Sequence, residues 1–87
     1  MKKWNELEYS EKVALVRFYP EDAFKDDCWQ IRLQAYRILG FTEAALKDYC
    51  EYIRLEAYRV LGFTADALKD DCEYIRRGAK IYLDYVE

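Results

Sequence analysis

At 87 residues, 53% apolar and 36% charged, with three Gly and one Pro, the chain has room for one small domain and is not disordered, collagen-like or low-complexity. The absence of histidine and the single serine, Ser10, remove Ser–His, Cys–His and zinc-protease chemistry and most zinc sites. A net charge of −3 argues against general nucleic-acid binding, and no apolar run of about 18 residues offers a membrane span.

From the N-terminus, Met1-Lys2-Lys3-Trp4-Asn5-Glu6 has no apolar stretch behind its lysines, so no secretory signal is expected. Residues 1–25 read as a worn copy of a unit that follows, because Tyr19-Pro20-Glu21-Asp22-Ala23-Phe24-Lys25 lines up with Phe41-Thr42-Glu43-Ala44-Ala45-Leu46-Lys47. Trp4, Leu7, Val13 and Val16 are expected to seal this end. Residues 26–47 (DDCWQIRLQAYRILGFTEAALK) and 48–69 (DYCEYIRLEAYRVLGFTADALK) are then identical at 15 of 22 positions without a gap.

Each unit begins with carboxylates, as at Asp26-Asp27-Cys28, where a helix has unpaired N–H groups and a positive dipole end. Asp48 to Glu51 and Asp70 to Glu73 have the spacing of a capping box. Cys28, Ile31, Ala35, Ile38 and Leu39 recur at helical spacing on one face. Gly40 ends the helix where a left-handed residue is cheapest, and Phe41 is placed to contact the last turn. Thr42 is expected to cap a second helix of about one to two turns, through Lys47. Residues 70–87 restart the unit and diverge into a longer helix, from Asp70 to about Tyr85, whose face of Cys72, Ile75, Ala79, Tyr82 and Val86 can seal the other end. Gly78 stands inside it where the earlier copies have Gln34 and Glu56, and close backbone contact is the expected reason.

Neither helix of a unit hides its apolar face alone. Stacked copies would bury ladders of Ile31, Ile53 and Ile75, of Ala35, Ala57 and Ala79, and of Leu39, Leu61 and Leu83. The expected fold is all-α: a single helical-repeat domain over 1–87, forming a short right-handed α-solenoid of helix–turn–short-helix repeats with divergent caps.

The residues Leu46-Lys47-Asp48, Ile53-Arg54, Ala57 and Leu61-Gly62 resemble the HEAT-like repeat pattern. The same set returns at Asp26, Ile31-Arg32, Ala35 and Leu39-Gly40, and partly at Asp70, Ile75-Arg76, Ala79 and Leu83. The 22-residue unit is shorter than a HEAT-like repeat, which makes it similar to the leucine-rich variant repeat, where an α-helix alternates with a short 3₁₀ helix. The resemblance implies that Asp26, Asp48 and Asp70 pair with Arg32, Arg54 and Arg76 to tie adjacent units together. It also puts Cys28, Cys50 and Cys72 where HEAT-like repeats often carry a second acidic cap, which would move each helix start one or two residues later.

The cysteines recur once per unit. Helices packed side by side lie about 8–10 Å apart, and a disulfide needs Cα atoms within about 6.8 Å, so bridges between neighbours are not expected. An odd count without a signal sequence favours a reducing cytoplasm as the expected location. The alternative to small spacers is thiols activated at helix starts. The Arg ladder, with Arg37, Arg59 and Arg77, has an alternative use as a phosphate-binding stripe, against which the interleaved carboxylates argue. Paired carboxylates such as Glu21-Asp22 and Asp70-Asp71 read as solvated caps.

Aromatics make up 17% of the chain. Phe41 and Phe63 are expected in the core, whereas Trp29, Tyr52 and Tyr74 cluster at helix starts and Tyr36 and Tyr58 stand beside Arg32 and Arg54. Tyr, Trp and Arg dominate interface hot spots. Trp29, Arg32, Tyr36, Tyr52, Arg54, Tyr58, Tyr74 and Arg76 are therefore the candidate partner-binding residues, the alternative being rings packed between repeats with only their hydroxyls wet. No catalytic, cofactor or metal residues are expected. The function this favours is a non-catalytic protein–protein interaction module, monomeric or dimeric through its exposed solenoid ends. It would have no small-molecule substrate, direct nucleic-acid contact or membrane partner. A small acidic, phage-type inhibitor that blocks a nuclease or nucleic-acid-binding complex is the second reading.

Overall fold

The punctuation of the sequence becomes five α-helices in the computed structural model, which describes residues 2–86. They are α1 (Tyr9–Leu15), α2 (Pro20–Phe24), α3 (Trp29–Leu39), α4 (Glu51–Leu61) and α5 (Glu73–Val86). Short 3₁₀ turns occupy Trp4–Glu6, Glu43–Lys47 and Ala65–Lys69, and no strand occurs among the described residues.

The helices start later than their aspartates. Cys28 and Cys50 are the N-cap residues of α3 and α4, and neither side chain caps the helix. The carboxylates of Asp26, Asp48 and Asp70 instead accept the backbone N–H two residues on, from Cys28, Cys50 and Cys72, at 2.9, 2.8 and 2.8 Å. Each aspartate thus closes a side-chain turn ahead of the helix. The capping-box expectation for Asp48 and Asp70 fails because the carboxylate is spent on that turn.

Both clean copies end alike. Gly40 (φ 103°, ψ 145°) and Gly62 (φ 98°, ψ 141°) send their N–H groups back to the Tyr36 and Tyr58 carbonyls at 2.8 and 2.7 Å. That backbone region lies beyond ordinary left-handed helix geometry and is open essentially to glycine alone. The short second helices are 3₁₀, with the Ala45 and Ala67 N–H groups on the Thr42 and Thr64 carbonyls, both at 3.0 Å. Short runs of this kind are where 3₁₀ turns commonly serve as connectors. In the worn first copy, Pro20 at the first helical position presets φ, and the corresponding segment, α2, is α-helical.

The chain divides into two compact units, Met1–Gly40 and Phe41–Glu87. In the first, α3 packs on α1 and α2 around Val16, Ala23, Ile31 and Ala35, with Trp4, Val13, Phe24 and Cys28 at the margin. In the second, α4 packs on α5 and on the 43–47 turn, and α5 on the 65–69 turn. The core there holds Tyr58, Ala67, Ile75 and Ala79, edged by Leu46, Leu55, Phe63 and Cys72.

Ile31, Ile53, Ile75, Ala35, Ala57 and Ala79 are all fully buried. The expected Leu ladder is not: Leu39 and Leu61 are 46% and 47% exposed, Leu83 is half-buried, and Ile38 is also exposed. Leu39 and Leu61 are the last residues of their helices, each directly before the glycine where the chain leaves the helix. The buried places go to Ala23, Ala45 and Ala67, whose lack of a larger side chain lets the short turns approach the helices, and to Tyr36 and Tyr58.

Gly78 makes the close approach its position implied. A Cβ there would lie 2.9 Å from the Phe63 ring. That ring cannot swing away freely: it stacks on Tyr58 at 5.5 Å and meets Tyr82 at 5.7 Å. Gly78→Ala gains about 1 kcal/mol of helix propensity but overpacks this sandwich. A net loss of about 1–2 kcal/mol is expected in urea unfolding, whereas a helix stabilised by the change would show the ring to be free.

Candidate functional site

Two aspartates anchor the polar structure. In the first unit, buried Asp26 accepts the Trp4 indole N–H at 2.9 Å and the Lys12 ammonium at 2.6 Å, in addition to the Cys28 N–H. The Lys12 nitrogen also lies 5.7 Å from the Trp4 ring centroid, a cation–π distance. In the second unit, Arg54 forks onto Asp70: Nε reaches Oδ2 and Nη2 reaches Oδ1, both at 3.0 Å. Burial alone would raise both carboxyls. The Lys12, Cys28 and Trp4 donors outweigh it at Asp26, and the Arg54 and Cys72 donors outweigh it at Asp70, so both lie below the ordinary carboxyl value. Burial, reinforced by the Asp70 charge, pushes the Tyr58 hydroxyl up.

The arginines of the ladder share a second habit. Nη1 of Arg32 donates to the Asp26 and Asp27 carbonyls at 2.6 and 3.0 Å, and Nη1 of Arg54 to the Asp48 and Tyr49 carbonyls at 2.8 and 3.0 Å. Nη1 of Arg76 donates to the Asp70 carbonyl at 2.6 Å. Each guanidinium thus satisfies the carbonyls ahead of its own helix. These bonded groups are scaffolding: they hold the helix starts in place.

The eight candidate binding residues separate accordingly. Tyr36 and Tyr58 are 6% and 5% exposed, and Tyr36 packs on Phe24 at 4.8 Å, so both rings are core and not displayed as expected. Tyr58 lies against Ala67 of the 65–69 turn, a placement that the helical pattern by itself did not give. Trp29 is half-buried, and Arg54 is engaged by Asp70. Arg32 is also half-buried. Tyr52, Tyr74 and Arg76 are exposed.

The second unit carries exposed apolar residues beside the candidate Tyr74, and two of them, Ile81 and Tyr85, were missed by sequence reasoning. Tyr74, Ile81 and Tyr85 are 70%, 70% and 90% exposed. At 100° per residue they lie within about 40° of arc on α5. Their i, i+7, i+11 spacing was the available signal, hidden because the stronger Ile75–Ala79 stripe satisfied the helix pattern. Tyr52 holds on α4 the place that Tyr74 holds on α5, and is also exposed. The first unit has a groove of about 580 Å³ with Trp4, Leu7, Leu15 and Tyr19 on its walls and Lys3 and Asp22 among its polar lining.

Cys28, Cys50 and Cys72 are free thiols, each half-buried. Among the described residues, no group of three metal-ligating side chains comes together and no helix is long and apolar enough to cross a membrane. No family model matches the chain, and neither a curated protein nor a solved structure matches it.

Proposed function

We propose that the chain is a short α-solenoid that works as a non-catalytic protein-binding module, using the exposed face of its second unit. The solenoid reading is supported by the copied element sequence of helix, glycine break and 3₁₀ turn. It is supported too by the Arg54–Asp70 fork, which ties one copy to the start of the next. The binding reading rests on one observation: Tyr52, Tyr74, Ile81 and Tyr85 are large, apolar and exposed while the core beneath them is filled by Ile53, Ala57, Ile75 and Ala79. Rings held on a rigid helix lose little entropy on binding and are the side chains that most often dominate interfaces.

The test is capture from a lysate of the source cells by the whole chain, beside a Tyr52→Ser/Tyr74→Ser variant that melts within a few degrees of it. Loss of about 2 kcal/mol or more of binding energy is expected, enough to remove a partner that the unaltered chain retains. A partner held equally by both proteins, or none held by either, would overturn the reading.

A further inference from the structure

The Arg–Asp tie has an open end, and its surroundings differ from those of the closed one. In Arg54, Nη1 is spent on the carbonyls before α4, and this leaves Nε and Nη2 as a fork filled by the Asp70 carboxylate. Arg76, one copy later, is anchored through Nη1 in the same way, to the Asp70 carbonyl at 2.6 Å. Among the described residues that is the only bond its side chain makes. The guanidinium is held by one edge, exposed, and presents the other to solvent.

The neighbours of Arg76 show what the open edge accepts. Where α3 and α4 have Leu33 and Leu55, α5 has Arg77, and where they have the core rings Tyr36 and Tyr58, α5 has Lys80. Both replacements are exposed. A further apolar copy would have to bury these two cations, at a cost of several kcal/mol each. Glu73 and Asp84 share the face. Glu73 is engaged by Arg77 at 3.0 Å, and the face as a whole carries three cations to two carboxylates. A second copy stacked end to end has neither Asp26 nor Asp70 to offer, since Lys12 and Trp4 hold the first and Arg54 the second.

We infer that this face of α5 docks an acidic segment of a partner protein, with one aspartate or glutamate carboxylate seated bidentately on Nε and Nη2 of Arg76 and a second one near Lys80. The Arg54–Asp70 pair is the chain's own example of that geometry, and a planar fork matched to a carboxylate is the stronger form of such a contact. The face lies on a different arc of α5 from Tyr74, Ile81 and Tyr85, so the inference does not depend on the aromatic surface.

The experiment follows the side-chain Nε–H signal of Arg76 in the full-length ¹⁵N-labelled chain by NMR. The probes are a short capped peptide of Asp and Glu, its Asn/Gln counterpart and a short DNA duplex, at low salt. The Asp/Glu peptide is expected to shift the Arg76 signal saturably and the Asn/Gln peptide to leave it in place. Arg76→Lys, which keeps the charge and loses the fork, should weaken peptide binding about tenfold. Lys80→Glu, an exposed change that leaves the core untouched, should weaken it by a similar factor, and Tyr52→Ser/Tyr74→Ser should not alter it. An unmoved Arg76 signal, equal affinity in Arg76→Lys, tighter binding of the duplex than of the peptide, or a signal that shifts with protein concentration alone would each overturn the inference.

Discussion

Ile53→Ala is expected to lower the unfolding free energy by about 3–4 kcal/mol. Ile53 is fully buried, so the change removes its transfer energy and leaves a cavity that the surrounding helices fill only in part. A chain of this length has a total stability of roughly 4–13 kcal/mol, so the variant is expected to sit near the edge of folding at 37 °C. Urea unfolding followed by circular dichroism measures it, with the midpoint falling and the slope unchanged. Leu61→Ala is the internal contrast. Leu61 occupies an equally apolar place in the sequence pattern but is about half exposed, and its truncation should cost less than about 1 kcal/mol. Equal losses in the two variants would mean that α4 buries a different face from the one described.

Asp70→Asn is expected to cost about 2 kcal/mol at neutral pH and progressively less toward acid. The variant keeps the side chain's shape and an oxygen for the Cys72 N–H, but loses the charge that Arg54 forks onto and leaves that guanidinium half-buried without its partner. The pH dependence follows from the direction of the Asp70 shift. Its folded-state carboxyl lies below the ordinary value of 3.8, while in the unfolded chain it returns to that value. Between the two, the unfolded chain binds more protons, so stability rises with pH there. The contribution is full above about pH 4 and disappears as the pH falls through the folded value. Thermal melts from pH 7 to pH 2 should therefore show the native protein losing stability below about pH 4, with Asp70→Asn losing less and the two curves converging. Asp26, lowered by its Lys12, Cys28 and Trp4 donors, steepens the same acid limb in both proteins. Parallel curves with a constant gap would show that the Arg54–Asp70 charge pair contributes nothing.

Much of the local structure was legible because it is written in residues with few conformational options. Gly40 and Gly62 sit at a positive φ that side chains with a Cβ avoid, so the helix ends could be placed to the residue. Ile31, Ile53 and Ile75, with Ala35, Ala57 and Ala79, repeat at a helical period and are fully buried. Gly78 in a helix interior implied a close neighbour, though not that the neighbour would be the Phe63 ring. The helix starts were less legible, since an aspartate can cap a helix or close the turn before it. The choice here depends on where its second oxygen goes: to Lys12 and Trp4 at Asp26, and to Arg54 at Asp70.

The candidate site was the least legible part. Tyr36, Tyr58, Tyr52 and Tyr74 are one residue type on one kind of helix, yet the first two are core and the last two are exposed. Ring chemistry does not separate them; what packs at their places on the helix does, since Tyr36 meets Phe24 and Tyr58 lies with Ala67, Ile75 and Ala79. By itself the sequence determined the helical class, the unit length, the glycine breaks and the isoleucine–alanine stripe, because each follows from backbone sterics or from the helical period within one segment. Only the tertiary structure decided which tyrosines are displayed, which aspartate takes a lysine and which an arginine, and that Arg76 keeps an open fork. Each of those outcomes depends on residues far apart in the chain meeting at distances of a few ångströms, and no local period encodes that.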